Sequence, residues 1–302
     1  MIEGGLRPTL GSILAVTYSV PDLRAVEVAY VNELGYVVAA RGSVAKAQAQ
    51  AWAAPAAAGR RMLVLGPASG EAVFLRFVEG PHAAGWRALK TFGWNATEFV
   101  VEDVEGLSSR LKGGAFEIIG PPAGLTRFPM IRAMQAIGPA GECCYFTQIG
   151  PGSGLDLASA RAFVGRVFIV VAAGPDVDAM FAPYSCFDNA IDPPVATPVR
   201  VISEAHDLPV ETLHRHGLVR LPDGALIELD AYPPSAGPRR AAAGELAPGM
   251  AIVSFGIDAI GELTFLGPPA PCELPQAGGR AACVRGAAGE LIELVEPGGR
   301  SC

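Results

Sequence analysis

The sequence predicts an α+β fold in which four βαβββ modules pair into two curved, cup-like mixed sheets. The main observation is a strand–helix–strand–strand–strand pattern that recurs four times along the 302 residues. Two segments rich in Gly, Pro and Ser, at 150–156 and 233–244, follow the second and third copies and are typical of linkers. A single module could not bury both faces of its strands, so we expect an N-terminal pair of modules at 1–150 and a C-terminal pair at 151–302.

The first module contains the clearest version of the pattern. A helix is predicted over 21–35, because Asp22 can cap its start, apolar residues follow at helical spacing and Gly35 can end it. An alanine-rich segment at 43–59 predicts a further helix inserted between the strands. The predicted strands are 12–20, 36–40 and two strands joined by a glycine turn within 60–81.

The other modules repeat the pattern with shorter helices. The second has a strand and a helix in 94–114, followed by strands at 116–122, 131–141 and 142–149. The third has a strand and a helix in 165–184, followed by strands at 198–205, 216–224 and 225–233. The fourth runs from 249 to 297 and has barely one helical turn.

Composition limits the classes of function. Half of the residues are hydrophobic and the net charge is −7, yet no apolar run approaches the roughly 18–20 residues of a membrane helix. Lysine and arginine form no stripe, so we expect no nucleic-acid partner. The six cysteines lack metal-site spacing, and the start of the sequence lacks a secretion pattern. We therefore expect a cytoplasmic protein with a small apolar or aromatic molecule as its partner, and a homodimer is a possible assembly.

Two motifs carry a resemblance to a known family. The "D…helix…LG" pattern of YSVPDLRAVEVAYVNELGY and the G-x-x-x-E final strand of PDGALIELDAYP resemble the vicinal oxygen chelate superfamily. This superfamily comprises the glyoxalase, bleomycin-resistance and type I extradiol dioxygenase group. The resemblance covers about residues 12–150 and 165–297, and four modules in one chain are typical of the double-length members.

The resemblance also implies a place for a metal. In the family, a histidine on the first strand and a glutamate on the last strand of a module hold a divalent metal inside the cup. The histidine positions here are Ala15, Ala96, Arg166 and Ala251 (or Met250), and the last-strand positions are Phe74, Tyr145, Glu228 and Glu293. Alanine and phenylalanine offer no ligand atom. We therefore expect the usual metal to be absent, with no other cofactor.

The family register predicts which side chains face the cups. Arg76 and Glu98 should share one space, where Glu98 acts as a general base and Arg76 or Tyr145 stabilises an oxyanion. The alternative is a structural ion pair that fills the old metal space. Arg166 should neutralise the last-strand glutamates of the second half, chiefly in a structural role. The predicted ligand-binding residues are Thr17, Phe74, Arg132, Gln135, Cys143, Arg166, Glu228 and Glu293.

Three functions follow from this interpretation. The first is a metal-independent enzyme of the lyase, isomerase or hydrolase type that acts on a small apolar, aromatic or polyketide-like molecule. The second is a binding protein similar to the bleomycin-resistance members, without chemistry. The third is a metal-dependent, extradiol-type dioxygenase with an atypical site. That site would contain Glu228, Glu293 and either His214 or His216, which are two residues apart.

Overall fold

A computed structural model describes residues 7–125, 128–261, 263–272 and 279–297. Within them the first module contains β1 (Ile13–Val20), α1 (Leu23–Ala29, continued by a π-helical turn at Tyr30–Leu34), β2 (Val37–Ser43), α2 (Lys46–Ala51), β3 (Arg61–Gly66) and β4 (Phe74–Glu79). The second contains β5 (Gly93–Val101), α3 (Val104–Leu111), β6 (Glu117–Gly124), β7 (Ile131–Ile137) and β8 (Cys143–Ile149).

The third module contains β9 (Val164–Gly174), α4 (Val177–Met180), β10 (Ile191–Pro198), α5 (Arg200–Ala205), β11 (Leu213–Arg220) and β12 (Leu226–Ala231). The fourth contains β13 (Gly249–Gly256), β14 (Ala270–Cys272), β15 (Gly279–Arg285) and β16 (Leu291–Glu296). Short 3₁₀ turns lie at Pro55–Ala57, Ala182–Cys186 and Pro222–Gly224.

The strands form two curved, mixed, eight-stranded sheets, which confirms the predicted fold class. Sheet 1 has the order β14-β15-β16-β13-β1-β4-β3-β2, and sheet 2 has the order β10-β11-β12-β9-β5-β8-β7-β6. We call the concave face of sheet 1 cup 1 and that of sheet 2 cup 2.

The pairing of the modules differs from the expected pairing. The first strand β1 pairs antiparallel with β13, and β5 pairs antiparallel with β9. Module one therefore shares its sheet with module four, and module two with module three, so the expected pairing within each half of the chain is wrong. The repeat does not specify a partner, because every module offers a similar first-strand edge. Each cup consequently combines residues from both halves of the chain.

An aspartate caps the first helix as the sequence predicts, and another aspartate caps α3 in the same way. Asp22 accepts hydrogen bonds from two backbone N–H groups of α1, and Asp103 does the same for α3. Gly35 follows the end of the first helix in the left-handed conformation, with φ of 76°.

The main core lies between the two sheets and their helices. Tyr18 of sheet 1 stacks on Phe77 with ring centroids 5.0 Å apart. Tyr36 packs edge-on against Phe99 of sheet 2 at 5.8 Å. The indole N–H of Trp94 in sheet 2 donates to the Leu291 carbonyl of sheet 1 at 2.7 Å. The Tyr36 and Trp94 contacts join the first and fourth modules to sheet 2 on the faces opposite the cups.

Two short helices enter the cups, one in each sheet. The predicted alanine-rich helix of module one is confirmed as α2, between β2 and β3. The predicted strand at 198–205 is wrong, because the strand is β10 and the segment after it forms α5. Two prolines, Pro193 and Pro194, are tolerated in β10 because it is an edge strand. Val201 and Ile202 of α5 are buried against apolar residues of cup 2.

Candidate functional site

Cup 1 is filled by a buried ion pair. Arg76 on β4 is 0% exposed and its guanidinium donates to Glu293 on β16 at 2.7 Å. Arg76 also donates to Thr17 on β1 at 2.8 Å, and Ser254 donates to Glu293. The charges are therefore paired and hydrogen-bonded, which is the condition under which proteins tolerate them in a core.

Trp52, directly after α2, closes this arrangement. Its indole N–H donates to Glu293 at 2.6 Å, and the Arg76 guanidinium carbon lies 4.7 Å from the ring centroid. Burial alone would raise the pKa of Glu293, but the Arg76 charge and the three hydrogen-bond donors hold it below its ordinary value. The inserted helix thus places an aromatic ring where a ligand of cup 1 would lie.

The predicted meeting of Arg76 and Glu98 is therefore wrong. Glu98 lies on β5 in sheet 2, whereas Arg76 lies in sheet 1 and pairs with Glu293. Cup 1 does contain a buried ion pair of the kind that the structural alternative expects, but the partner of Arg76 is Glu293 and not Glu98. The prediction failed because it paired the wrong modules. Arg76 and Glu98 each face a cup as expected, but the two cups are different.

Cup 2 contains a row of polar side chains. Glu98 on β5 lies opposite Tyr145 on β8, and Tyr145 lies opposite Gln135 on β7. The Thr147 hydroxyl, on the same face of β8 as Tyr145, donates to Glu98. Glu98 is 8% exposed and Tyr145 is 9% exposed, so both lie at the boundary between the sheet and the interior of the cup.

Electrostatics keep Glu98 and Tyr145 protonated near neutral pH. Burial raises the pKa of Glu98 to about 8, the nearby Glu228 carboxylate acts in the same direction, and the Thr147 hydrogen bond opposes both. Burial also raises the pKa of Tyr145 well above its ordinary value. Both groups can therefore donate a proton or a hydrogen bond to a ligand.

A second group of polar residues lies on β11 and β12. Their antiparallel register places His216 opposite Asp230 and Leu218 opposite Glu228. The ligand atoms of His216, Glu228 and Asp230 lie within 4.8 Å of one another. Burial raises the pKa of Asp230, and the charge of Glu228 and a hydrogen bond between the two carboxyl groups raise it further.

Asp230 and Tyr232 were missed at the sequence level, although a simple signal was available. Side chains two residues apart on a strand share a face, so Asp230 and Tyr232 follow Glu228 along the same side of the chain. Both are buried, at 3% and 4% exposure.

The remaining predicted site residues divide between the cups and the surface. Cys143 is buried in cup 2, and Phe74 packs at the edge of cup 1. Arg132 forms a surface ion pair with Glu105, so it does not face a cup. Arg166 pairs with Glu71 at 3.3 Å, so its expected role in neutralising Glu228 and Glu293 is wrong.

A cleft of about 830 Å³ opens beside cup 2. Its apolar walls include Leu89, Ile119, Ile137 and Val201, which also belong to or pack on the apolar cluster of cup 2. Helix α5 contributes to this cleft and buries Ile202 against the cup on its other side. The cleft adjoins cup 2 through these apolar residues, and its described lining leaves out Glu98 and Tyr145.

The metal of the family does not fit the positions that the family uses. In cup 1 the last-strand Glu293 is taken by Arg76. In cup 2 the first-strand position Ala96 offers no ligand atom, and the last-strand partner of Glu228 is Tyr145, whose hydroxyl stays protonated. No step through a metal at these positions follows from the structure.

Two buried glutamates lie outside both cups. Glu142 and Glu290 each sit in the turn before the last strand of a module, where they accept backbone hydrogen bonds from Ala140 at 2.8 Å and Ala288 at 2.9 Å. Tyr30 also donates to Glu142 at 2.9 Å. Burial raises the pKa of each glutamate to about 7, although these hydrogen bonds act to lower it. They fix the hairpin turns and are not part of the candidate site.

These turns predict a pH dependence of stability. The pKa of Glu142 rises from 4.5 to about 7 on folding, so the folded state binds this proton more tightly and the free energy of unfolding falls as pH rises through this window. Glu142→Gln should flatten that fall when urea unfolding is measured at several pH values. The exposed Glu117→Gln serves as the control. An unchanged slope in Glu142→Gln would show that Glu142 does not titrate in this way.

Among the described residues, no helix is long and apolar enough to cross a membrane.

No protein-family model matches the chain, and no curated protein matches it. Solved structures do resemble it. Glyoxalase I from Zea mays has a TM-score of 0.63 at 13% identity, with 94% of this chain and 92% of that chain covered. A putative dioxygenase from Bacillus subtilis subsp. subtilis str. 168 has a TM-score of 0.62 at 13% identity, with 96% and 87% covered. At these identities the likeness concerns the fold.

Proposed function

We propose that this chain, which has the fold of the vicinal oxygen chelate superfamily, is a small-molecule enzyme with its site in cup 2 and Glu98 as its proton-transfer residue. One observation carries the proposal. Cup 2 presents a buried carboxyl group beside other polar side chains, whereas the same space in cup 1 is filled by Trp52 and the Arg76–Glu293 pair. Buried titratable groups in a concave, apolar setting are typical of active sites.

The arrangement suits proton transfer next to a carbonyl group. Glu98 and Tyr145 lie directly opposite each other on parallel strands, so one ligand could contact both. In its ionised form Glu98 would take the α-proton of a β,γ-unsaturated carbonyl compound and return it to the γ-carbon of the dienolate, so that the double bond moves next to the carbonyl. In a substrate with a leaving group on the β-carbon, the enolate would instead expel that group and form the double bond. The Tyr145 hydroxyl would donate a hydrogen bond to the oxyanion. This chemistry corresponds to an isomerase or a lyase.

The surroundings favour a small apolar or aromatic substrate. Cys143, Val171 and Leu226 are buried beside the polar row and offer no charge. The adjoining cleft has apolar walls as well. A substrate would place its carbonyl between Glu98 and Tyr145. Independence from a metal stays a prediction based on the missing family histidines.

The test is hydrogen–deuterium exchange of carbon acids. Small aryl ketones and β-diketones are incubated with the protein in D₂O, and loss of the α-proton signal is followed by NMR. Glu98→Gln should slow exchange at least about 100-fold, because general acid–base catalysis typically contributes 10²–10⁴. Trp52→Phe, a matched change in cup 1, should leave the exchange rate unchanged. Equal exchange by wild type and Glu98→Gln would overturn the proposal.

Ligand binding without chemistry is the second candidate, and the cleft favours it. Its volume of about 830 Å³ is within the range that holds drug-sized molecules. An aromatic ligand such as naphthol should then raise the melting temperature with no product detected by mass spectrometry. Ile119→Trp would fill the cleft and abolish that shift, whereas Glu98→Gln would leave it intact. Product formed in the same incubation would exclude this candidate.

A further inference from the structure

Cup 2 holds a set of donor atoms that the proton-transfer role does not use. His216 on β11 and Glu228 and Asp230 on β12 face the same concave surface, and their ligand atoms lie within 4.8 Å of one another. An imidazole with two carboxylates is a donor set that binds first-row divalent metals. Spacing alone does not define a metal site, so the burial and the hydrogen-bond partners of these donor atoms are also relevant.

Two of these atoms are buried without a hydrogen-bond partner in the part of the chain that the structure describes. They are Nδ1 of His216 and Oδ1 of Asp230, and the Asp230 side chain is 3% exposed. Buried polar atoms in native proteins are nearly always satisfied, so each such atom requires an explanation. The Tyr232 hydroxyl, on the same strand face, is also buried and unpartnered. Three such groups on one surface form a polar site that a ligand with matching donors or acceptors could satisfy.

The orientation of His216 is already fixed for coordination. Its Nε2 lies 2.9 Å from Oγ1 of Thr197 on the neighbouring strand β10. When Nε2–H donates to this hydroxyl, the lone pair of Nδ1 is left free to bind a metal ion. Hydrogen bonding of the second imidazole nitrogen is the usual way in which proteins orient a histidine ligand.

In the part of the chain that the structure describes, the carboxyl groups on β12 have no basic side chain as an ion-pair partner. Among the described residues, Glu228 and Asp230 form no ion pair with an arginine, lysine or histidine within 4.0 Å. In cup 1, by contrast, Arg76 neutralises Glu293. A bound cation would compensate the acidic surface of cup 2 as the guanidinium does in cup 1.

We propose that His216 Nδ1, Glu228 and Asp230 bind one first-row divalent metal ion, such as Mn²⁺ or Zn²⁺, in cup 2. This set lies on the third and last strands of one module, away from the first-strand positions that the resemblance implies. Only Glu228 is common to both arrangements. The proton-transfer role proposed for Glu98 does not require this site.

Equilibrium dialysis of the purified chain tests the site. The protein is stripped with EDTA, dialysed against Mn²⁺ or Zn²⁺, and its metal content is measured by mass spectrometry. We expect one ion per chain and a saturable rise in melting temperature. His216→Ala and Asp230→Asn should weaken binding more than 100-fold, and Thr197→Val about 10–100-fold, because it acts only through the imidazole. Circular dichroism confirms that each variant is folded.

Matched controls separate this site from adventitious binding and from the proposed activity. His82→Ala removes an exposed histidine and should leave binding unchanged, as should Glu98→Gln. Binding that survives both His216→Ala and Asp230→Asn, or no stoichiometric binding by the wild type, would overturn the inference. Slow α-proton exchange in Glu98→Gln would leave the proposed function standing in either case, so the two can fail separately.

Discussion

Removing either charge of the Arg76–Glu293 pair should lower the free energy of unfolding by about 3–5 kcal/mol, because one charge is then left buried without its partner. Both side chains are essentially inaccessible, at 0% and 1% exposure. Arg76→Met and Glu293→Gln are the variants, and urea unfolding followed by circular dichroism is the measurement. Of the two, Arg76→Met should cost more, since it leaves a carboxylate in the core.

The double variant and a surface pair provide the controls. Arg76→Met combined with Glu293→Gln leaves no buried charge, so it should recover much of the loss seen in Arg76→Met. Arg41→Met breaks a pair with Glu27 in which both partners are partly exposed, at 61% and 34%, and should cost less than about 1 kcal/mol. A loss below 1 kcal/mol in Arg76→Met would contradict a closed cup 1.

The same pair also predicts how the free energy of unfolding changes at acidic pH. The folded-state pKa of Glu293 is held below its ordinary value of 4.5 despite burial, chiefly by the charge of Arg76. This contribution is therefore fully present above pH 4.5 and is lost as pH falls through the lowered value.

Trp52→Ala should be the second large effect, with a loss of about 3–5 kcal/mol. The substitution removes a buried ring, the N–H donor to Glu293 and the ring beside the Arg76 guanidinium. It should also open a cavity in cup 1, because the neighbouring residues Ala49 and Ala54 are too small to fill the space.

Indole provides a direct test of that cavity. Added indole should bind to Trp52→Ala, restore the N–H donor and raise its melting temperature, with no effect on the wild type. Trp52→Phe keeps most of the bulk but loses the donor, so it should cost less than Trp52→Ala and gain nothing from indole. Failure of indole to stabilise Trp52→Ala would mean that cup 1 collapses when the ring is removed.

The two cups are built from the same repeat but differ in what fills their concave faces. In both sheets a short helix enters the concave face between the second and third strands of a module. In cup 1 that helix ends in Trp52, which completes a neutral, hydrogen-bonded core. In cup 2 the helix supplies Val201, Ile202 and Ser203. The Ser203 hydroxyl is hydrogen-bonded to His214, whereas buried polar atoms of His216, Asp230 and Tyr232 have no partner among the described residues. The polar surface of cup 2 is therefore left for a ligand, as we propose.

The amino-acid sequence by itself determined the modules, most of their strands and the capped helices. These features depend on neighbours within a few residues: Asp22 caps its own helix, and the alternation around Glu228 defines which side chains share a face. The expected inward facing of Glu98, Tyr145, Glu228 and Glu293 combined this alternation with the register that the family resemblance implies.

Only the tertiary structure decided which residues meet. The edges of the four first strands are alike, so local pattern does not select β13 for β1 or β9 for β5. That choice brings Arg76 to Glu293, 217 residues further along the chain, and leaves Glu98 in the other cup. Contacts across such separations depend on how whole sheets pack, and the composition of the candidate site depends on them.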